Sequence, residues 1–391
     1  MTHFNKLPAY KVISPLLLTF ALSACGGGGS DSTTPTTPTP TPTTPTSTDT
    51  AQFTLWLTDL ANNYILPSYQ DLQTKAQALA TQSSHFCTID NASNADLQTL
   101  QQSWVDFNTS WQDIQWLKVG PVLESSRLFR IQFWPDSNDA VGRGIDALLT
   151  ETETLTADLV AGVNVGGQGI PALEILLFTE TSQNSLLLAT NKAKRCEAVQ
   201  AISDNLVNIT TDINTEWAST GGNYVASLIG GQDDFTSIKD AVEELITNWL
   251  EFVEKVKDEK LLEPLAVNAP GIPTIAEFVL SDKSLVSIKV NAMAISKIFS
   301  ANNGHGFDNI LIEHFEQQAI SNDITAKITA ITTAVDALDT SMSFEQLLND
   351  EHSRLQLTKL IQKIRELRDV ITADFVQATD INIGFNSNDG D

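Results

Sequence analysis

The stretch DLQTLQQSWVDFNTSWQDI, residues 96–114, spaces Leu97, Leu100, Trp104, Phe107, Trp111 and Ile114 at steps of 3, 4, 3, 4 and 3. An α-helix turns once every 3.6 residues, so this spacing draws one apolar stripe down one side; a half-buried strand would alternate at every second residue. The same rhythm runs through Val199, Ile202, Leu206, Ile209 and Ile213. It returns in Ile238, Val242, Leu245, Trp249, Phe252 and Val256, and again in Leu357, Leu360, Ile364, Leu367 and Ile371. Phe53, Leu57, Leu60 and Tyr64 begin another stripe ahead of Pro67. Sustained period-two alternation is nearly absent. The expected fold class is all-α, with helical bundles burying one face of each helix.

Helix breakers divide the stripes. Ser83 to Ser93 reads as one connection, holding Cys87. Gly120-Pro121 ends the tryptophan-rich helix, and Trp134-Pro135-Asp136 begins a turn. Gly162 to Gly169 reads as a glycine-rich loop, Gly221-Gly222 and Gly230-Gly231 flank a short piece, and Asn268 to Pro273 and Asn302 to Gly306 are further loops. About four long helices fall on each side of residue 220. The expectation is two bundle halves packed together, 51–220 and 221–391, with the boundary between Gly221 and Gln232.

The first 24 residues read as a signal segment. Lys6 and Lys11 precede a short apolar run, Val12 to Leu22, which ends in Leu22-Ser23-Ala24-Cys25. The run is too short to span a bilayer stably, and small residues precede the cysteine. A cysteine at that place resembles a bacterial lipobox, which implies cleavage before Cys25 and lipid on its thiol and new amino group. Two or more chains anchor stably where one is marginal. The alternative is an ordinary secretory signal with a chance cysteine. Gly26 to Ser30 then reads as a leash, and Thr33 to Thr50 is almost all Thr and Pro, with nothing apolar to bury. Residues 25–50 are expected to be a linker, extended by its prolines. Gly26 is not an inner-membrane retention aspartate, so the expected location is the outer membrane, facing the periplasm.

The chain carries a formal charge of −25. Loss of Lys6 and Lys11 with the signal would take it to −27, since no acid is lost with them. That disfavours nucleic acid and anionic lipid surfaces as partners, because phosphates are repelled. It suits cationic ligands or hard metal ions, and equally a solvated acidic surface. Beyond the signal no segment is apolar enough to cross a membrane. Cys87 and Cys196 are the two cysteines left in an oxidising envelope, which suggests a disulfide; two unpaired buried thiols are the alternative.

No HExxH, Walker loop, GxSxG or CxxC motif is present. His305 precedes Asp308 by three residues, yet Asp308 is more simply a first-turn acid favoured by the helix dipole. Gly166-Gly167-Gln168-Gly169 follows no strand, so a phosphate loop is not expected. The sharper signal is Gly169-Ile170-Pro171-Ala172-Leu173-Glu174. Pro171 suits the first helical position, and Glu174 would then sit in the first turn, beside a flexible loop.

These pieces, taken in order, resemble the imelysin-like family, which includes iron-regulated protein A and was named after an insulin-cleaving peptidase. The likeness runs through Ile65-Leu66-Pro67-Ser68-Tyr69, Trp104 to Trp111, Gly120-Pro121, Phe133-Trp134-Pro135-Asp136, Gly169 to Glu174 and Leu176-Leu177-Phe178. It continues through Lys260-Leu261, Pro264-Leu265, Gly306-Phe307-Asp308, Gly384-Phe385-Asn386 and Asp389-Gly390-Asp391. The resemblance implies an all-helical fold with a site between two halves. Its hallmark is Gly-x-His-x-x-Glu, proposed to bind metal. Gly169 and Glu174 match, while Pro171 stands where the histidine would be. A second segment, Trp-Arg-Ser-x-x-Ser, aligns with Val279 to Ser284 and keeps only Ser281 and Ser284; Ser281 also reads as a plain helix N-cap.

Three functions follow as expectations. The first is a non-catalytic envelope lipoprotein that binds a ligand or partner, iron or haem among them, in iron acquisition. The second is a metallopeptidase whose divalent metal is held by ligands from distant segments, with Glu174 and Asp136 as candidates. The third is a structural module presenting its acidic surface to another envelope protein. The candidate cleft is Gly169, Pro171, Glu174, Trp134, Asp136, Ser281 and Ser284.

Overall fold

Helices form wherever the apolar stripes run in the computed structural model, which describes residues 47–179, 181 and 185–384. The signal segment, Cys25 and the linker up to residue 46 lie outside the described residues, as does the terminal piece 385–391. No strand occurs among the described residues, so the fold is all-α as expected. Among the same residues, no helix is long and apolar enough to cross a membrane.

The first helix, α1 (Ser47–Leu60), starts inside the stretch read as linker. It passes through a π turn, Ala61–Ile65, into α2 (Leu66–Thr88) without stopping at Pro67. Proline lacks an N–H, and its ring collides with the carbonyl four residues earlier. A single widened turn resolves that collision and frees the Asn63 carbonyl. Asn302 Nδ2 donates to that oxygen at 2.8 Å, so it is not left unsatisfied. A second π turn, Asp258–Leu262, stands in the same register before Pro264.

The expected connection at Ser83–Ser93 is shorter than the sequence suggested. α2 continues to Thr88, which puts Cys87 in its last turn. Ser83 was read as a breaker, yet it is buried on the helix's apolar face, where its hydroxyl shares a 3.0 Å hydrogen bond with Ser203. The next helix, α3 (Asn94–Ile114), opens on a reciprocal cap: Ser93 N–H donates to Asp96 at 2.8 Å, and Asp96 N–H donates to the Ser93 hydroxyl at 3.3 Å.

Further along the chain come α4 (Ala140–Thr150), α5 (Gly169–Phe178), α6 (Lys192–Trp217) and α7 (Ile238–Lys257). The last long helices are α8 (Ser284–Phe299), α9 (Gln318–Asp336) and α10 (Glu351–Val370). Hydroxyl and carboxylate caps start two of them: Ser237 accepts from Asp240 N–H at 3.1 Å before α7, and Asp350 from Ser353 N–H at 2.8 Å before α10.

In the first group α2 lies along both α3 and α6, with α5 packed on α3 and α6. In the second, α9 lies on α10 and α8, and α7 packs on both of those helices. The groups meet where α3 touches α8 and where α1 reaches across to α7. Trp56, Trp104, Trp111, Trp116, Trp217 and Trp249 are all fully buried. Trp249, for example, stacks on Phe299 with ring centres 5.6 Å apart.

A disulfide joins Cys87 to Cys196 across a sequence separation of 109 residues, tying the end of α2 to the start of α6. A cross-link over a loop of that size restricts the unfolded chain by about 4–5 kcal/mol in the chain-entropy model. Urea denaturation with and without reductant is expected to show a loss of that order when the bond is opened, and an unchanged midpoint would show that the bond adds nothing.

Candidate functional site

Two glycines let the backbone turn into α5. Gly166 lies so close to α4 that an added Cβ would sit 2.3 Å from the Ala140 carbonyl oxygen. Gly169 has φ +71°, and a Cβ there would meet the Ile131 oxygen at 2.2 Å. The glycine-rich segment is thus a close-packing device. Pro171 occupies the third helical position rather than the first, still within the turn whose N–H groups have no intrahelical partner. Glu174 therefore lies in the second turn. It is buried, and the expected first-turn dipole effect does not account for it.

What holds Glu174 is Ser281. One carboxylate oxygen accepts from the Ser281 backbone N–H at 2.9 Å and from its hydroxyl at 2.7 Å. Ser281 is not a helix N-cap; α8 begins three residues later, after Lys283. Burial drives the Glu174 pKa from its ordinary 4.5 to about 7, against the pull of the Ser281 hydrogen bonds, with Glu277 adding repulsion. Trp104 anchors the helix that carries Glu174. Its indole N–H donates to the Ile170 carbonyl at 3.1 Å, and its ring meets Phe178 and Phe278 edge-on at 5.0 and 5.6 Å.

The turn that carries Ser281 also carries Glu277, half of a buried ion pair. Lys260 Nζ lies 2.9 Å from Glu277, with both side chains almost wholly inaccessible. The same ammonium donates to Gln112 Oε1 and Asn291 Oδ1, each at 2.7 Å. The other Glu277 oxygen accepts from Gln132 Nε2 at 2.5 Å. Gln132 Oε1 in turn accepts from the Trp111 indole at 2.6 Å and from Gln112 Nε2 at 3.1 Å. Ser284 closes the turn by donating its hydroxyl to the Glu277 carbonyl. Burial lowers the Lys260 pKa to about 8, opposed by the Glu277 carboxylate and reinforced by the Lys255 ammonium.

Of the residues marked in the sequence, Glu174 and Ser281 are in direct contact, and Ser284 stands on the same turn. Trp134 flanks the network: the Lys255 and Lys260 ammonium groups lie 5.5 and 5.9 Å from its ring centre. A cavity of about 60 Å³ opens there, between Trp111, Gln115, Gln132, Trp134 and Lys255, with room for a few water molecules. Asp136 does not join this set. Its carboxylate accepts from Ala140 N–H at 2.9 Å and Val141 N–H at 2.8 Å, at the start of α4. Those bonds outweigh partial burial and hold its pKa below the usual range. Lys260, Glu277, Gln112, Gln132 and Asn291 were not singled out as site residues. Gln112, for example, falls off the apolar stripe between Trp111 and Ile114, where a polar residue reads as solvent-facing, so nothing in the local pattern marked it.

The metal that the sequence resemblance implies does not fit these residues. The Pro171 nitrogen has no free lone pair to offer, and the Glu174 oxygen described above already accepts two hydrogen bonds. A catalytic zinc takes three protein ligands. Among the described residues, no three or more His, Cys, Asp and Glu side chains converge on one point.

Residues 65–371 match the model of the imelysin family. Two solved structures are similar. One is an imelysin-like protein from Psychrobacter arcticum, 20% identical, with a TM-score of 0.71 and coverage of 86% of this chain and 98% of that one. The other is a putative iron-regulated protein A precursor from Parabacteroides distasonis, 16% identical, with a TM-score of 0.66 and coverage of 85% and 96%. At these identities the two structures show a shared fold. No curated protein matches the chain.

The raised pKa of Glu174 sets a pH dependence. A carboxyl whose folded pKa exceeds its unfolded value stabilises fully below about pH 4.5 and loses that contribution as pH rises through about 7. The shift corresponds to roughly 3 kcal/mol. Urea unfolding at pH 5 and pH 8 should therefore show a Glu174→Gln variant losing less stability between the two than the parent, by an amount of that order. Parallel profiles would contradict a buried, titrating Glu174.

Proposed function

We infer the function from one premise: the chain belongs to the imelysin family. From it we propose an envelope lipoprotein, anchored through Cys25 at the outer membrane, that binds a ligand or a partner protein and does not cleave peptides. One observation carries this reading. The position that would supply an imidazole is Pro171, and the remaining hallmark residue, Glu174, is committed to Ser281. A buried carboxyl with both of those hydrogen bonds serves to hold the 276–284 turn against α5. The Lys260–Glu277 pair fixes the same turn from its other side. This arrangement supports a rigid scaffold, with Trp134 and Lys255 as its nearest open contacts.

Iron acquisition is the setting we propose. A structurally similar protein carries the description iron-regulated protein A, and the acidic charge suits a cationic ligand. The lipobox-like run at Leu22 to Cys25 supports the anchor.

The test has two arms. The mature protein is incubated with a peptide library and each of zinc, manganese and ferrous iron, and separately titrated with ferric citrate and with haem. The expected outcome is no cleavage and saturable binding of iron or haem. Chelator-sensitive cleavage that disappears in Glu174→Ala would establish the peptidase instead. Failure of both titrations would remove the iron setting.

A further inference from the structure

An open cleft of about 450 Å³ lies between α2, α3 and α8, and none of the candidate-site residues around Glu174 and Lys260 lines it. Its charges follow from helix register. Ser68 Oγ reaches Asp113 Oδ2 at 3.5 Å, and the short 89–93 connection makes α2 and α3 antiparallel neighbours. Each step forward on α2 is then matched by a step back on α3. Asp71 comes opposite Ser110, and Lys75 comes opposite Asp106; all four line the cleft.

One end is closed by an internal ion pair. Lys297 donates to both Asp113 oxygens, at 2.8 and 2.9 Å, and its ammonium stands 5.3 Å from the Tyr64 ring centre. The remaining charges are open. Lys75 forms no ion pair and Asp71 accepts no hydrogen bond among the described residues. Among the same residues, Asp106 accepts only from its own-helix neighbour Gln102, at 2.8 Å. Lys75 and Asp106 thus carry opposite charges at matched heights on facing helices and do not meet. Beside them, Val290 and Met293 of α8 present an apolar wall.

We propose that this cleft binds a free α-amino acid, its carboxylate on Lys75, its ammonium between Asp106 and Asp71, and its side chain against Val290 and Met293. The volume admits a molecule of that size. A simple anion is opposed by a chain of net charge −25, so the ligand needs its cationic end as well. A simple amine would leave Lys75 unused. This goes beyond the proposed iron-linked role and shares no residue with it.

The experiment screens the twenty coded amino acids against the full mature chain by thermal shift, with calorimetry on the strongest. Tyr64 stacks on Trp116 at 6.1 Å between ring centres, so tryptophan emission offers a second signal. At least one amino acid is expected to bind saturably, with its N-acetyl and carboxamide forms each bound at least tenfold more weakly. Lys75→Gln, at a half-buried position, and Asp106→Asn, at an exposed one, should each weaken binding at least tenfold while leaving the ligand-free melting temperature unchanged. The proposal is overturned if none of the twenty binds, if the carboxamide binds as well as the parent, or if both substitutions leave the affinity as it was.

Discussion

An ammonium and a carboxylate buried together, Lys260 and Glu277, set the terms for the rest of the structure. Taking either charge out of water costs several kcal/mol, and the interior repays that only when every donor and acceptor is met. Here the three Lys260 protons have three acceptors, Gln112, Glu277 and Asn291. Glu277 uses one oxygen for Lys260 and the other for Gln132. Gln112 comes from α3 and Gln132 from the loop after residues 127–131; Lys260 and Glu277 come from the chain between α7 and α8, and Asn291 from α8. A shift of one group against the other would strand a charge in the core, so the network pins their register.

That constraint reaches the candidate site through a short turn. Residues 276–284 carry Glu277 into the ion pair, Ser281 onto Glu174, and the Ser284 hydroxyl back onto the Glu277 carbonyl. Glu174 is thus one of several polar groups that hold this turn against α5 and α3. With a proline three residues before it, a carboxyl so placed is a structural acceptor. The family match brings the fold, and within it the side chains around Glu174 hold one another.

Much of the fold was legible in the sequence, for a simple reason. The apolar stripes in 97–114, 199–213, 238–256 and 357–371 are long enough that periodicity alone specifies a helix, and each became one. The disulfide was legible because two cysteines remained. Errors arose where a local rule met a tertiary demand. Ser83 read as a breaker but is a buried hydroxyl with a partner 120 residues away. Of the site, Glu174 and Ser281 were legible by motif, while their contact was not. Asp136 was misplaced because a carboxylate that accepts backbone N–H bonds looks the same in sequence as one that faces a cleft. The Lys260 network drew no attention, since its members are separated by up to 179 residues and no short-range pattern links them.

The most direct test of this account is the stability of a Lys260→Met variant, measured by urea denaturation near neutral pH. Methionine has a similar length and no charge, so it leaves Glu277, Gln112 and Asn291 buried without their partner. The account predicts a loss of about 3–5 kcal/mol in a single cooperative transition. A variant within about 0.5 kcal/mol of the parent would contradict it, since losses that small are typical of surface positions away from any such network.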